Sequence, residues 1–355
     1  MQTIHVNLGE HAYNIEIGAG LLDSVGAKVA ALLPNAKKAV IISDTNVAPL
    51  YAQKLSESLA AAGLPSSTII FPAGEGSKNL VTLSQVLEQI ADLGLTRTDV
   101  LLTLGGGVVG DLGGFAAASF MRGIAFVQVP TSLLAQIDSS VGGKVAVDLK
   151  AGKNLAGAFH QPRAVFIDTD LLKTLPVHFL HDGLAEAIKT GAVLDRELFD
   201  FICNLKDDAD LYKNIEHVVA GCVKIKARVV EEDEFDTGLR MLLNFGHTLG
   251  HVIEQYYGYS HFTHGEGVGI GMYEITKRTE ALGITPTGCA EAIKNVLEKF
   301  NLPISAGVDK SLLIETMAHD KKKNGSKISL VILEDLGRAC YRKIDFAEIG
   351  KYYLE

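Results

Sequence analysis

The sequence has 355 residues, of which 47% are apolar and 21% are charged, and its formal net charge is −9. A chain of this length and apolar content can bury a sizeable core in one or two domains, which excludes disorder as its main state. The mildly acidic balance also argues against a protein that coats nucleic acid. The four cysteines lie far apart without a CxxC pair, a pattern typical of free thiols in a reducing compartment.

No segment of the sequence fits an export signal or a membrane span. The first residues, MQTIHVNLGEHAY, contain neither the basic stretch nor the apolar stretch that a signal peptide requires. The longest uncharged runs, at 112–121 and 123–137, are interrupted by glycines, Gln128 and Pro130, so neither supplies about 20 clean apolar residues. We therefore expect a cytoplasmic protein with no membrane and no nucleic-acid partner.

The first half of the chain predicts strands that alternate with helices. A hairpin is expected at 4–8 and 13–17. Apolar strands follow at 39–43, 67–71, 100–104, 125–129 and 164–168, and helices are predicted at 47–62, 80–93 and 112–121. Continuous apolar strands separated by helices are typical of a parallel sheet that is covered on both faces.

The second half has a different pattern. After Pro176 helical periodicity dominates, and a strand at 328–333 is the main exception. We therefore predict an α/β nucleotide-binding domain at 1–176 and a mostly helical domain at 177–355.

The glycine-rich segment GGGVVGD at 105–111 follows one predicted strand directly and precedes a helix. Glycines let a backbone approach a diphosphate closely, and a helix N-terminus favours the negative charge. A tight turn without a ligand is the alternative. The usual dinucleotide motif has its ribose-binding acid about 20 residues after the glycines. Here the candidate acid, Asp44, comes earlier, and it also fits a cap of the helix that follows it.

Lysines flanked by glycines predict an anion site. Lys144 follows Gly142 and Gly143, and Lys153 follows Gly152. A solvated lysine face is the alternative. Together with Lys78 and Arg122 they give this half several candidate cations for a phosphorylated ligand.

The second half carries candidate metal ligands. His247 and His251 are four residues apart and would share one face of a helix, with His261 and His264 shortly after them. A helical acid, Glu186, could complete a set of two histidines and one carboxylate with an open position, as in catalytic zinc sites. Spacing alone favours His247 and His251 as the ligands, and a run of surface or core histidines is the alternative.

These motifs converge on one family. The chain resembles 3-dehydroquinate synthase over essentially its whole length, through GGGVVGD at 105–111, PTSLLAQIDSSVGGKVAVD at 130–148, GKNLAGAFHQP at 152–162, GLAEAIK at 183–189 and GLRMLLNFGHTLGHVIE at 238–254. The resemblance implies an N-terminal Rossmann-like NAD-binding domain and a mostly α-helical C-terminal metal-binding domain.

The resemblance also implies an activity. Members of this family are cytoplasmic homodimers of the shikimate pathway, which leads to chorismate and the aromatic amino acids. They convert 3-deoxy-D-arabino-heptulosonate 7-phosphate (DAHP) into 3-dehydroquinate and phosphate, with NAD and a divalent metal, usually zinc or cobalt. The reaction runs through transient oxidation, phosphate elimination, re-reduction and aldol closure, so NAD is not consumed.

Carried over residue by residue, the resemblance implies three sets of site residues. The metal ligands are Glu186, His247 and His264. The NAD contacts are Asp44, Asn46, Glu75, Gly76, Ser77, Lys78, Gly105, Gly106, Gly107, Val108, Val109, Gly110, Asp111, Thr131, Ser132, Lys144, Lys153, Leu171, Leu172, Lys173 and Thr174. The substrate-binding and catalytic set is Lys144, Lys153, Asn154, Lys189, Lys226, Asp236, Arg240, Asn244, His251, Arg122, Asp138 and Lys321.

Two of these residues need a comment. The resemblance implies that Arg122 reaches into the neighbouring subunit's site, which makes the dimer functional. Asp236 stands where the family generally has a glutamate, so the carboxylate is kept on a shorter arm.

Three other functions are compatible with parts of the pattern. One is another sugar-phosphate cyclase, against which the cations Lys189, Lys226 and Arg240 favour a substrate that bears a carboxylate. A metal-dependent polyol dehydrogenase would turn over NAD and would not need the anion-binding residues. A non-catalytic NAD or metal sensor would have no use for an assembled metal triad.

Overall fold

The computed structural model describes residues 1–236, 238–321 and 327–354. Contacts divide the chain into two compact units, Met1–Pro176 with Lys226–Phe235, and Val177–Ile225 with Asp236–Glu355. Residues 226–235 lie past the predicted domain boundary but are bonded to the first unit. For example, the backbone N–H of Asn7 donates to Glu231 at 2.6 Å.

The first unit is built on nine strands and four helices. The strands are β1 (Gln2–Val6), β2 (Tyr13–Gly18), β3 (Ala39–Asp44), β4 (Ser66–Phe71), β5 (Val100–Gly105), β6 (Ala125–Pro130), β7 (Lys144–Leu149), β8 (Gly152–Phe159) and β9 (Ala164–Asp168). The helices are α1 (Val25–Leu32), α2 (Ala48–Ala61), α3 (Leu80–Asp92) and α4 (Gly107–Ser119).

Seven of these strands form one sheet in the order β1-β2-β9-β6-β5-β3-β4. In this order, every pair of neighbouring strands from β2 through to β4 is parallel. Only β1 is antiparallel to its neighbour, β2. The predicted hairpin and parallel sheet are confirmed. A separate antiparallel hairpin, β7–β8, occupies the stretch in which the sequence predicted only an anion site.

The core lies on both faces of the sheet because side chains along each strand alternate between them. Ile41 and Leu102 pack on one face with α1 and α2, for example against Leu55. Ile42 and Leu101, their neighbours in sequence, pack on the other face with α3 and α4. This arrangement is a doubly wound α/β fold.

The second unit is mainly helical. Its elements are α5 (Val177–Leu194), α6 (Arg196–Asn204), α7 (Asp208–Lys213), α8 (Ile215–Glu232, whose last turns belong to the first unit), α9 (His247–Tyr256), α10 (His264–Ala281), α11 (Cys289–Lys299), α12 (Lys310–Lys321), β10 (Lys327–Asp335), β11 (Arg338–Asp345) and α13 (Ile349–Tyr353). The predicted late strand is β10, and it pairs with β11, which the sequence analysis missed.

In the described part of the chain, no helix combines the length and the hydropathy needed to cross a membrane.

Candidate active site

One group of candidate site residues lies at the carboxyl edge of the large sheet in the first unit. The chain runs from β3 outward to β4 and then returns, so that β5 pairs with β3 on its other side. The connections that follow β3 and β5 therefore lead to opposite sides of the sheet. Open α/β sheets bind ligands at such a point. Asp44 ends β3 and Gly105 ends β5, so both lie there.

The glycines of 105–111 have different reasons to be glycine. A Cβ at Gly105 would lie 2.5 Å from a methyl carbon of Val109, so packing within the turn excludes it. Gly106 has φ −75° and ψ −168°, which suit any residue, and a Cβ there would meet only Ser132 Oγ at 3.4 Å. Since neither packing nor backbone conformation requires glycine at Gly106, the open space in front of it fits a ligand.

The helix after these glycines begins earlier than predicted. α4 begins at Gly107, so Val108, Val109, Gly110 and Asp111 are helical, and the first N–H groups of a 13-residue helix face the carboxyl edge. Residues 110, 113 and 114 are glycine for packing. A Cβ at Gly113, for example, would lie 2.5 Å from Thr103 of β5. A helix N-terminus that begins in glycines is suited to a diphosphate.

Asp44 shapes the neighbouring turn. Its Oδ1 accepts hydrogen bonds from the backbone N–H groups of Asn46 at 2.8 Å and Val47 at 2.9 Å. Asp44 is buried, whereas Asn46 is exposed. The carboxylate thus orders the loop before α2, and this is compatible with both the capping and the ribose-binding interpretations.

Other predicted NAD contacts surround the same edge. The backbone N–H of Thr131 donates to Gly105 O at 3.0 Å, which joins the ends of β6 and β5, and Ser132 follows it. Leu171 and Leu172, in the turn after β9, have side chains buried in the core, whereas Lys173 and Thr174 are exposed. Only the backbone of the two leucines is therefore available to a ligand.

Lys78 links three segments of the first unit. Its ammonium lies 2.5 Å from Asp111 of α4 and 2.6 Å from Asn154 of β8, and its side chain is only 5% exposed. Burial raises the pKa of Asp111 to about 6, and the Lys78 ammonium opposes that rise. Burial by itself lowers the pKa of Lys78, but the nearby carboxylates, Asp111 foremost, together raise it more, so the net shift is upward. Glu75, Gly76 and Ser77 lie in the short turn just before Lys78.

The β7–β8 hairpin carries the predicted anion-binding lysines. Lys144 is exposed at the start of β7, and Lys153 lies next to Asn154 on β8. Asn154 has φ +57°, and its backbone N–H donates to Asp148 Oδ1 at 2.7 Å. Residues other than glycine whose backbone lies in the left-handed region are often found at ligand sites.

Lys226 and Asp138 form an ion pair in the first unit. Asp138 lies in a single π-helical turn, Ala135–Ser139, just after β6, and its Oδ1 is 2.5 Å from the Lys226 ammonium. Lys226 is 8% exposed. A buried ammonium paired with one carboxylate suits a phosphate or carboxylate ligand.

The second unit contains its own candidate site, a cluster of metal-ligand atoms. Glu186 on α5 lies near His247 at the start of α9 and His264 at the start of α10. The distance from Glu186 Oε1 to Nε2 is 3.7 Å for each histidine. One ligand atom from each of the three lies within 4.8 Å of the other two, which fits one divalent ion.

The hydrogen bonds of both histidines leave Nε2 available to a metal. Nδ1 of His247 is 3.1 Å from the carbonyl oxygen of Phe245, and Nδ1 of His264 is 3.3 Å from Glu254 Oε2. A carbonyl and a carboxylate only accept hydrogen bonds, so each Nδ1 carries the proton. In the neutral ring the lone pair is then on Nε2, the atom that faces Glu186.

The carboxylate of Glu186 has one oxygen without a hydrogen-bond partner. Its Oε2 accepts from the Lys189 ammonium, but Oε1 is buried and has no partner among the described residues. Burial lowers the pKa of His247 well below its ordinary value, with help from the nearby charges of Lys189 and His264. A buried acceptor facing a neutral imidazole is costly unless a cation joins them, so this donor set fits a metal.

Close helix crossings through glycines bring the three ligands together. A Cβ at Gly271 of α10 would lie 2.0 Å from the carbonyl oxygen of Gly246, and one at Gly265 would lie 2.1 Å from that of Asp182 on α5. Gly250 of α9 and Gly267 of α10 approach each other similarly. These glycines were not assigned a role from the sequence. The repeated pattern HGEGVGIG at 264–271 was the available signal.

Of the remaining predicted residues of the second unit, His251 lies beside this cluster. His251 is exposed, and its ring lies 5.2 Å from that of His247 and 5.8 Å from that of His264. Arg240 is buried and Asn244 is exposed, both in the turn Leu239–Asn244 that precedes α9. Asp236 has φ +59°. Lys321 is the last residue of α12, and its side chain lies outside the described residues.

Arg122 lies at the opposite edge of the sheet. It is exposed with φ +69° and precedes β6, whereas the glycine-rich turn follows β5. The register pairs Val100 with Ala125 and Gly105 with Pro130, so the two edges are roughly 17 Å apart along the strands. An arginine side chain does not span that distance, so Arg122 does not reach its own glycine-rich turn.

Comparison with known proteins found matches over nearly the whole chain. The model of the 3-dehydroquinate synthase N-terminal domain matches residues 68–182, and that of the C-terminal domain matches residues 183–323. The chain is 49% identical over 353 residues to 3-dehydroquinate synthase of Clostridium acetobutylicum, and the alignment covers 99% of each chain.

Solved structures of two related enzymes superpose closely. A 2-deoxy-scyllo-inosose synthase complexed with carbaglucose-6-phosphate, NAD+ and Co2+ has a TM-score of 0.88 at 26% identity, covering 99% of both chains. The 2-epi-5-epi-valiolone synthase of Streptomyces hygroscopicus, with NAD+ and Zn2+ bound, has a TM-score of 0.83 at 25% identity, covering 95% of this chain and 94% of the other.

Proposed function

The chain belongs to the 3-dehydroquinate synthase family, and on this premise we propose that it converts DAHP into 3-dehydroquinate and phosphate with bound NAD and one divalent metal. The observation that carries the metal part is a set of three ligand atoms, one of which, Glu186 Oε1, has no hydrogen-bond partner among the described residues. When bound, NAD supplies a hydride acceptor and the metal supplies a Lewis acid.

The residues of the first unit bind the cofactor and the anionic groups of the substrate. The N–H groups at Gly106 and Gly107 hold the diphosphate, and Asp44 holds the ribose. Lys144, Lys153 and the ion-paired Lys226 provide positive charge for phosphate or carboxylate. Because Lys78 contacts both Asp111 and Asn154, it keeps the cofactor turn and the β8 strand in one arrangement.

The residues of the second unit hold the metal and move protons. Glu186, His247 and His264 bind the ion, and Lys189 neutralises the second oxygen of Glu186. The exposed His251 and Asn244 and the buried Arg240 contact substrate in this proposal, since none of the three belongs to the Glu186 cluster. These residues hold charge and transfer protons, which suits catalysis by positioning and charge stabilisation.

The active form in this proposal is a homodimer in which Arg122 acts in the partner's site. Its place at the edge opposite the glycine-rich turn supports this role. Arg122 also lines a surface groove of about 680 Å³, near the exposed aromatic side chains of Phe159 and Phe235. A second copy of the chain would cover these rings.

Two finer assignments complete the proposal. The metal is zinc or cobalt, since a set of two histidines and one carboxylate suits both. The location is the cytoplasm, where the four free cysteines stay reduced.

One assay tests the function. The metal-loaded protein is incubated with DAHP and NAD, and released phosphate is measured alongside absorbance of NADH at equilibrium. We expect phosphate to accumulate over many turnovers without net NADH, and 3-dehydroquinate to appear in equal amount. Net NADH with a polyol would point to a dehydrogenase. Phosphate release from another sugar phosphate, but not from DAHP, would point to a different cyclase.

A further inference from the structure

We propose that Glu254 is a positioning residue that fixes the ring of His264 so that Nε2 faces the metal. The inference rests on the proposed metal site and goes beyond its three ligands. Glu254 lies two turns after His247 on α9, so the helix that carries one ligand would orient another on α10.

The contact is specific to one nitrogen. Glu254 Oε2 lies 3.3 Å from Nδ1 of His264, while Nε2 of the same ring lies 3.7 Å from Glu186 Oε1. The two ring nitrogens of His264 are therefore placed between two buried carboxylates, whose side chains are 5% and 1% exposed. Each carboxylate acts on a different nitrogen.

This arrangement decides which nitrogen binds the metal. Without an acceptor at Nδ1, a neutral imidazole can carry its proton on either nitrogen, and the tautomer with Nε2–H does not coordinate through Nε2. Glu254 Oε2 accepts a hydrogen bond from Nδ1 of His264, which selects the Nδ1–H tautomer, restrains rotation of the ring and makes the ligand more basic.

A second arrangement must be separated from this one. His251, Glu254 and His264 also bring three ligand atoms within 4.8 Å of one another. In that case Glu254 would itself be a metal ligand. The two roles predict different numbers of bound ions and different spectra.

The test measures metal binding to the full-length protein after the metal has been removed with a chelator. Co2+ is titrated into the wild type and into Glu254→Gln, Glu254→Leu and Glu274→Gln, and affinity and the visible absorption of bound Co2+ are recorded. Gln keeps an acceptor oxygen and loses the charge, whereas Leu removes the acceptor. Glu274 is the matched control, since it is also buried, lies on α10 with His264, and pairs with Lys310 at 2.5 Å.

We expect one Co2+ per chain in the wild type. Affinity should fall about 10- to 100-fold in Glu254→Leu, with a changed Co2+ spectrum. Glu254→Gln should recover most of this loss, and Glu274→Gln should bind as the wild type does. If Glu254 had only a structural role, the Glu254 variants would melt at a lower temperature than the wild type. The absorption spectrum of their bound Co2+ would not change.

Several results would overturn the proposal. If the wild type binds one ion and Glu254→Leu binds it as tightly with the same spectrum, Glu254 has no positioning role. If the wild type binds two ions and Glu254→Leu loses one of them, Glu254 is a ligand. If the wild type binds no metal, the proposed site itself is wrong. Should Glu254→Leu not fold, Glu254→Asp replaces it, because its shorter arm withdraws the carboxylate from Nδ1, and unchanged binding would contradict the proposal.

Discussion

The Cα of Gly271 lies against the carbonyl group of Gly246, so close that a Cβ at Gly271 would be 2.0 Å from the oxygen. Gly246 directly precedes His247, and Gly271 lies on the helix that begins with His264. The crossing of α9 and α10 at this point therefore sets the separation of two candidate metal ligands.

We expect Gly271→Ala to impair metal binding and stability together. Alanine favours a helix over glycine by roughly 1 kcal/mol. The clash with backbone at Gly246 forces the helices apart and costs more, about 1–3 kcal/mol or above. Thermal unfolding and Co2+ titration measure both effects.

Gly269→Ala is the matched control for this crossing. A Cβ there would meet a methyl carbon of Leu297 at 3.2 Å, and a leucine side chain can shift. We expect near wild-type metal affinity for Gly269→Ala. Equal effects of the two substitutions would show that the contact with Gly246 is not what matters.

This crossing also explains why helical spacing did not identify the cluster. His247 and His251 share a helix face, so local periodicity favoured them as a pair. The structure instead brings His264 to Glu186 Oε1, because glycines allow α5, α9 and α10 to approach closely. Only the family resemblance, which reflects tertiary structure, grouped the three residues that the structure brings together.

The fold itself was easier to predict from sequence. Strands such as β3 and β5 are buried on both faces, so they appear as unbroken apolar runs. The β7–β8 hairpin was missed because its second strand is rich in small and polar residues. The alternation of buried Val145 and Val147 with more exposed neighbours was the available signal.

His251 and His264 should respond differently to removal. We expect His264→Ala to bind well below one metal ion per chain, because it loses a ligand of the Glu186 cluster. His251→Ala should keep its metal and lose activity by about a hundredfold or more, as for a group that transfers protons. Metal analysis of the purified variants decides the matter. Metal loss in His251→Ala alone would favour the ligand pair that helical spacing suggests.

Gly106→Val should abolish NAD binding in a folded protein. Its backbone conformation suits valine and a Cβ finds room, so the added methyl groups project into the space proposed for the diphosphate. Calorimetric titration with NAD measures the loss, which we expect to exceed about tenfold.

The comparison variant is Gly113→Ala, on the helix that follows Gly106. Its Cβ would lie 2.5 Å from Thr103, so this substitution should lower stability and leave the NAD affinity of the folded fraction unchanged. Unaltered NAD binding by folded Gly106→Val would remove the diphosphate from this turn.

Asp99 should make stability depend on acid pH. Its carboxylate accepts hydrogen bonds from the backbone N–H groups of Lys37, Lys38 and Thr96, and from the Thr96 hydroxyl. Burial alone raises the pKa of Asp99, but these bonds lower it more, so the pKa lies below its ordinary value. The folded state then binds fewer protons than the unfolded state near pH 4, and this stabilisation is lost as the pH falls.

Asp99→Asn should therefore lower the free energy of unfolding by about 2–3 kcal/mol near pH 7. The new amide group would place a hydrogen-bond donor against the N–H and hydroxyl of Thr96, which are also donors. The difference from the wild type should shrink below about pH 4. Urea denaturation across pH values measures it, with the exposed Asp92→Asn as control. A difference that does not vary with pH would mean that the charge of Asp99 is not responsible.

The last prediction concerns Arg122 and the dimer. Arg122 and Met121 both have positive φ, at +69° and +48°, which is strained for residues other than glycine. The strained turn holds Arg122 at the sheet edge opposite the glycine-rich turn. A catalytic role of Arg122 therefore requires a ligand that is not bound at the glycine-rich turn of its own chain. We expect Arg122→Ala to fold normally and to lose most activity, because a substrate phosphate would lack a charge-assisted partner.

Hybrid dimers separate action in the partner from action within one chain. Mixing inactive Arg122→Ala with inactive His247→Ala gives hybrids in which one site lacks both groups. The other site combines an intact metal cluster from one chain with Arg122 from its partner. Activity should therefore return on mixing, up to about one working site per hybrid. If subunit exchange is demonstrated by mass and activity stays absent, Arg122 acts within its own chain or has no catalytic role.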